Sequence, residues 1–328
     1  MYKAQIKRMR ELTRESPLFL EIETINACNA SCIFCSYPDM KRKKGVMSLQ
    51  MFQKVVEDYV QMGGGPVSLT PLEGEPLLDP ILLERLEILK KYPEMQQVVV
   101  TTNGIALDKY SDQEIRCLLE DLYLIKLSIG GLDDATYKSM FNVDCFSQVM
   151  NGVDRLLKIR KEVSDPAHIS FAFRTNDPSF EVRFRQQLDE YREQGIHISH
   201  IHEYTNNCGS LKNDQEKRLV VARSPRKKRL TCVYPCMSMV VSWDGIVTAC
   251  CEDSEDADLR IGNIEKETLA DIWSGKQRSE FLALFTKRKL LPVCRKCSGY
   301  QPDTVFADPC FKGLRPHQTL PKDFIQFR

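Results

Sequence analysis

Apolar residues recur along the first two-thirds of this chain with two alternating periods. Short alternating or fully apolar runs predict β-strands at 18–25, 66–70, 97–102, 122–129, 168–174 and 196–204. Between them the period lengthens to that of amphipathic helices. Ser48 is placed to cap a helix with Met51, Phe52, Val55, Val56 and Tyr59 inward. Pro80 can open another in its first turn, with Leu82, Leu83, Leu86 and Leu89 inward. Further helices are expected at 111–120, 146–162 and 180–194. Strand and helix alternating six times imply an α/β fold with a parallel sheet and right-handed crossovers. Six units are too few for the closed eight-unit barrel.

The alternation stops near residue 205. A basic, proline-containing run, 223–229, reads as part of a linker over 206–230. A second region follows over 231–310, with a tail over 311–328. Its clearest signal is Asp244-Gly245 between two apolar runs, a hairpin turn. Short helices are expected around Leu269–Trp273 and Ser279–Phe285.

Hydrophobic content of 42%, charged content of 28% and a formal net charge of +1 are those of an ordinary globular protein. This balance asks for neither nucleic acid nor a membrane surface. The basic runs 41–44 and 223–229 therefore read as solvated loops. No apolar run of about 18 residues is present, and Met1 to Arg14 lacks the apolar core of a signal peptide. The 13 cysteines are odd in number and closely spaced. That pattern reads as metal binding in a reducing cytoplasm rather than as a disulfide framework.

Three of those cysteines, Cys28, Cys32 and Cys35, follow the first strand with spacing C-x3-C-x2-C. Thiolates so close can hold an iron–sulfur cluster. A structural zinc site prefers four closed ligands. The spacing, with Phe34 before the third cysteine, resembles the signature of the radical S-adenosylmethionine (SAM) superfamily. The resemblance implies an open (β/α)6 partial barrel. It also implies a [4Fe–4S] cluster on Cys28, Cys32 and Cys35, whose open iron chelates SAM, and a 5′-deoxyadenosyl radical as the reactive species. It places Phe34 near the adenine and gives Glu75, in Glu73-Gly74-Glu75-Pro76, the SAM amino group. Ser128 and Asn103, at strand ends, fall around the ribose, and Arg174 meets the SAM carboxylate or the substrate. An electron donor such as flavodoxin or ferredoxin is implied as partner.

In the second region Cys232, Cys250, Cys294 and Cys297 can converge on one metal, with zinc and iron–sulfur both open by residue type. The order of a first cysteine, Gly245-x4-Cys250, a gap and Cys294-x2-Cys297 resembles the SPASM/twitch extension of radical SAM enzymes, which carries auxiliary [4Fe–4S] clusters. The full pattern has more cysteines after Cys297 than this chain, where only Cys310 remains. The single-cluster twitch form fits better; a variant arrangement using Cys236 and Cys310 as ligands stays open. Cys117, Cys145 and Cys208 read as core or surface residues.

Neighbours on a strand face opposite ways. With Cys250 as a ligand, Cys251 would present a thiol to the active site. This pair resembles that of radical SAM peptide epimerases, and neomycin C epimerase likewise uses a cysteine donor from this region. The resemblance implies Cys251 as the hydrogen-atom donor of an epimerase. The auxiliary spacings also resemble those of 2-deoxy-scyllo-inosamine dehydrogenase, which implies oxidation of a secondary alcohol, with Arg174, Glu203 or His202 as base candidates. About 17 residues precede the first strand, too few for a peptide-leader domain, so a small polar substrate (sugar, aminocyclitol or aminoglycoside) is expected ahead of a short peptide. A zinc-stapled scaffold is the non-enzymatic alternative.

Overall fold

The computed structural model describes residues 2–70, 73–95, 97–211, 218–223, 231–252, 259–287, 289–302 and 304–305. Cys310, the tail and nearly all of the second basic run lie outside the described residues.

All six strands form: β1 (Phe19–Ile22), β2 (Val67–Ser68), β3 (Val98–Thr102), β4 (Leu124–Ile129), β5 (His168–Arg174) and β6 (His197–Ile201). They pair in parallel in sequence order. The expected helices lie between them: α2 (Leu49–Gln61), α3 (Leu82–Leu89), α4 (Asp112–Asp121), α6 (Phe146–Arg160), α7 (Phe180–Arg183) and α8 (Arg185–Glu193). Ser48 does cap α2, accepting from the Met51 amide at 3.1 Å. Ser111 and Glu114 close a reciprocal capping box on α4. Helix α3 begins at Leu82, two residues beyond Pro80. The Asp79 carboxylate organises the turn before it, accepting from the Ile81 amide at 3.1 Å and from Arg85 at 2.7 Å. The segment expected as one helix at 180–194 breaks at Phe184 into α7 and α8.

Strand alternation sorts the two faces of the sheet. Ile125, Leu127 and Ile129 of β4 enter the main core with Phe52, Val55 and Val56 of α2 and Leu118 of α4. Burying side chains such as Phe52 and Val55, fully inaccessible here, stabilises the fold by about 1.5–3 kcal/mol each. Leu124, from the opposite face, joins Phe19 and Val99 in a smaller cluster near the strand beginnings. Lys126 and Ser128 share that inner face, which is thus apolar at its base and polar toward the strand ends.

Two helices of the first region are not legible in the pattern. One is α1 (Tyr2–Glu15), which buries Met9 in the smaller cluster. The other is α5 (Asp134–Phe141), capped by Asp133. No helix among the described residues is long and apolar enough to cross a membrane.

The second region continues the same sheet. A short helix α9 (Tyr234–Met237) leads into β7 (Ser238–Val241), which pairs in parallel with β1 over four residues. The hairpin forms as expected, with β8 (Ile246–Thr248) antiparallel to β7 and Gly245 at φ +81° in the turn. Strand β9 (Arg260–Asn263) completes a nine-stranded sheet in the order β6-β5-β4-β3-β2-β1-β7-β8-β9. Helices α10 (Leu269–Ser274), α11 (Lys276–Thr286) and α12 (Pro292–Lys296) follow. Trp273 of α10 donates its indole N–H to the Thr13 carbonyl of α1 at 3.2 Å, and the Leu269 amide donates to Asp58 of α2 at 3.1 Å. A composition change at 231 therefore falls where the sheet itself runs on.

Candidate active site

The loop after β1 is fastened at both ends before its cysteines are considered. Arg42 donates two hydrogen bonds to buried Glu23, at 3.0 and 2.6 Å. The first basic run thus supplies a structural ion pair. Asn26 accepts from the Gly45 amide at 2.8 Å and donates to the Lys43 carbonyl at 3.0 Å. From the other side, the Ser31 and Ile33 amides donate to the carbonyls of Phe141 and Met140 at the end of α5. Helix α5 therefore braces the cysteine loop.

Cys28, Cys32 and Cys35 all line one cleft of about 400 Å³ at the strand ends. The Tyr37 amide donates to Cys35 Sγ at 3.4 Å, and Asn103 Nδ2 reaches Cys28 Sγ at 3.8 Å. Burial pushes the Cys28 thiol up to about 11 and the Cys35 thiol to about 12. Cys32 is raised by burial first and then by the neighbouring Cys35 and Cys28. Three half-buried cysteines whose thiolate forms would repel one another, with N–H donors at two of the sulfurs, are a donor set that a positively charged iron core would satisfy.

Each other predicted residue of this end lines the same cleft: Phe34, Glu75, Asn103, Ser128 and Arg174. Phe34 stacks on Tyr204 at 5.3 Å between ring centroids, and the Arg174 guanidinium lies 5.0 Å from its ring. Arg174 also donates to Ser128 Oγ at 2.8 Å, so β4, β5 and the cysteine loop meet at one point. Glu75 is tied down more fully than a waiting partner for an ammonium would be. It accepts from the Thr102 hydroxyl at 2.5 Å and from the amides of Asn103 at 2.8 Å and Leu77 at 3.0 Å. Burial still raises its carboxyl to about 7. Gly74 beside it has φ +107°, and a Cβ there would lie 2.7 Å from the Ile25 carbonyl oxygen. That contact explains why glycine stands where the two loops cross.

A further part of the cleft wall carries Glu203, Tyr204, Asn207, Cys251 and Glu252. Cys251 and Glu203 were expected here. His202 is exposed and is not part of the lining. Tyr37, Glu73, Tyr204, Asn207 and Glu252 were not anticipated. Tyr204 had a signal, as the last residue of the expected sixth strand, and so had Glu73, which stands in the motif of Glu75; the others sit in loops whose path the sequence does not give.

A second, narrow cavity lies behind this wall. Cys232, Cys250, Cys294 and Cys297 line it, among the rings of Tyr234, Phe281, Phe285 and Tyr300. Cys208, read from sequence as a core or surface residue, lines it as well. Cys236 does not; its thiol lies 3.4 Å from the Cys232 carbonyl. Burial pushes Cys232 up to about 12. Among the described residues no three Cys, His, Asp or Glu side chains are placed to hold a single metal ion. The thiols surround a space instead of meeting at a point, and buried sulfur ligands in an apolar shell suit an iron–sulfur core.

Two family models match the segments that carry these cysteines. Residues 22–169 match the radical SAM superfamily, and residues 232–298 match SPASM, an iron-sulfur cluster-binding domain. Among curated relatives, GTP 3′,8-cyclase of Petrotoga mobilis is 27% identical over 52% of this chain and 55% of its own length. That of Chlorobaculum tepidum is 31% identical over 42% and 41%. The match thus spans about half or less of those relatives. Among solved structures, BtrN in complex with AdoMet and 2-DOIA superposes with a TM-score of 0.55 at 18% identity, covering 87% of this chain and 94% of BtrN. Streptococcus suis SuiB bound to precursor peptide SuiA gives 0.62 at 14% identity, covering 98% and 79%. AnSMEcpe with AdoMet and the Cp18Cys peptide gives 0.57 at 18%, covering 89% and 91%. Cofactors follow from the two family matches: SAM with a [4Fe–4S] cluster, and an auxiliary cluster. The chain belongs to the radical SAM superfamily and is a radical SAM enzyme with a SPASM iron–sulfur domain.

Proposed function

We propose that this enzyme epimerises a carbon of a small polar substrate, a sugar, aminocyclitol or aminoglycoside, with Cys251 as hydrogen-atom donor. Cys28, Cys32 and Cys35 would hold the SAM-binding cluster, and Phe34, Glu75, Asn103, Ser128 and Arg174 would surround SAM. When bound, SAM and the reduced cluster supply a 5′-deoxyadenosyl radical that removes a hydrogen atom from a substrate C–H bond. The protein's own step is the return. The Cys251 S–H bond breaks and a C–H bond forms on the other face of the carbon. The sulfur radical left behind takes one electron from an external one-electron donor, such as a flavodoxin or ferredoxin, and one proton from solvent.

One juxtaposition carries this reading: Cys251 lines the cleft of the three cysteines while its neighbour Cys250 lines the auxiliary cavity. The same adjacency favours a second reading, a dehydrogenase. There Glu203, on the cleft wall, would take the proton and the auxiliary cluster the electron. A peptide substrate is the remaining alternative.

The test is anaerobic turnover with SAM and dithionite in deuterium oxide, over a panel of sugars, aminocyclitols, aminoglycosides, short peptides and GTP, the last prompted by the cyclase relatives. The expected result is an epimer carrying one solvent deuterium at the inverted carbon. Cys251→Ala should still release 5′-deoxyadenosine but form no epimer. A carbonyl product without deuterium would replace this reading with the dehydrogenase, and epimer formation by Cys251→Ala would end it.

A further inference from the structure

Five thiols line the auxiliary cavity, one more than the corners of a four-iron cluster. The supernumerary one by sequence is Cys208, just past β6 and outside the matched SPASM segment. Its position is built, not incidental. Asn206 accepts from the Ser298 amide at 2.9 Å and donates to the Lys296 carbonyl at 3.0 Å, while its own amide donates to Ser298 Oγ at 2.8 Å. Three hydrogen bonds thus join the Cys208 turn to the segment carrying Cys294 and Cys297. The turn is left-handed throughout, with φ of 43° at Asn207, 56° at Cys208 and 89° at Gly209. A non-glycine pair in that region costs energy that its surroundings must offset. The turn sends neighbours to different sites: Asn207 lines the cleft and Cys208 the cavity. Cys251 and Cys250 divide in the same way. The partition between the two sites is therefore made by two dipeptides, each with one thiol toward the auxiliary centre.

We propose that Cys208 is a ligand of the auxiliary cluster and shares one iron corner with Cys250, either thiol being sufficient to fill it. Cys232, Cys294 and Cys297 hold the other three corners. Cys208 and Cys250 line the same cavity. Exchange at this corner changes the state of the residue next to Cys251, so the auxiliary centre is linked to the cleft wall. The proposal needs only the auxiliary cluster and stands apart from the reaction catalysed.

The test uses the full chain, purified anaerobically, with Cys28, Cys32 and Cys35 replaced by Ala so that only auxiliary iron remains. Iron and sulfide counts and the electron paramagnetic resonance of the dithionite-reduced protein are the readouts. Cys208→Ser and Cys250→Ser should each keep about four irons, each with an altered resonance. The double variant Cys208→Ser/Cys250→Ser should lose them, with circular dichroism reporting whether the fold persists. Loss of the iron in either single variant, or its retention in the double variant, would overturn the shared corner. An unaltered resonance in Cys208→Ser would remove Cys208 from the ligand set.

Discussion

Cys28, Cys32 and Cys35 come from one loop of eight residues, whereas the five thiols behind the cleft come from four separate segments. Each site nevertheless depends on one asparagine that clamps two backbone groups. Asn26 holds Gly45 and Lys43, closing the loop that carries its own cysteines. Asn206 holds Ser298 and Lys296, joining segments about ninety residues apart. The first clamp closes a short loop and the second a long one. Loop-closure entropy grows slowly with length, so the difference is less in cost than in dependence. The first site can form once its own βα unit has folded. The second needs the sheet to extend through β7, α10 to dock on α1 and α2, and the α12 loop to return.

The largest expected effect tests whether the two sites are independent. Replacing Cys28, Cys32 and Cys35 together with Ala should lower bound iron from about eight to about four per chain and abolish release of 5′-deoxyadenosine. The auxiliary resonance should persist. Disappearance of all iron would show that the second site cannot assemble without the first.

The two clamps offer a finer comparison. Asn26→Ala should destabilise the protein by about 1 kcal/mol, because a fully buried side chain that bonds two part-buried backbone groups is lost. Its iron deficit should fall on the SAM-binding cluster. Asn206→Ala should cost less, since Asn206 is only partly buried, and its deficit should fall on the auxiliary cluster. Anaerobic thermal unfolding with iron counts on each variant checks both statements. Equal losses from both clusters in either variant would mean that the clamps act on the whole fold.

This contrast also explains what the sequence discloses. All six parallel strands were legible because the apolar pattern of each is local, even in β6, whose residues are exposed or half-buried. The three-cysteine motif was legible for the same reason, as was the Asp244-Gly245 hairpin. Cys208 was not. Its role depends on a left-handed turn and on a hydrogen-bonded bridge to Ser298, neither of which leaves a periodic trace. Helix α5 was missed although Asp133 caps it, since only Tyr137, Met140 and Phe141 of its eight residues are buried. Glu75 was found by motif, yet two of its three hydrogen-bond donors, Thr102 and Asn103, come from another stretch of chain and redefine its part in the site.

That redefinition gives the smallest and most specific prediction. Glu75 is surrounded by donors, but burial prevails and lifts its carboxyl from an ordinary 4.5 to about 7. Between those values the folded protein without SAM retains a proton that the unfolded chain has released. The neutral carboxyl's contribution to stability is therefore complete below about pH 4.5 and is lost as pH rises through about 7. The slope in that window is at most about 1.4 kcal/mol per pH unit. Glu75→Gln has no proton to lose, so its thermal midpoint should rise relative to the parent protein between pH 5 and 7.5. The infrared difference between the two proteins should contain a protonated-carboxyl band that fades with a midpoint near 7. A band already absent at pH 5 would show that the Thr102, Asn103 and Leu77 donors outweigh burial, making Glu75 a fixed anion at the cleft.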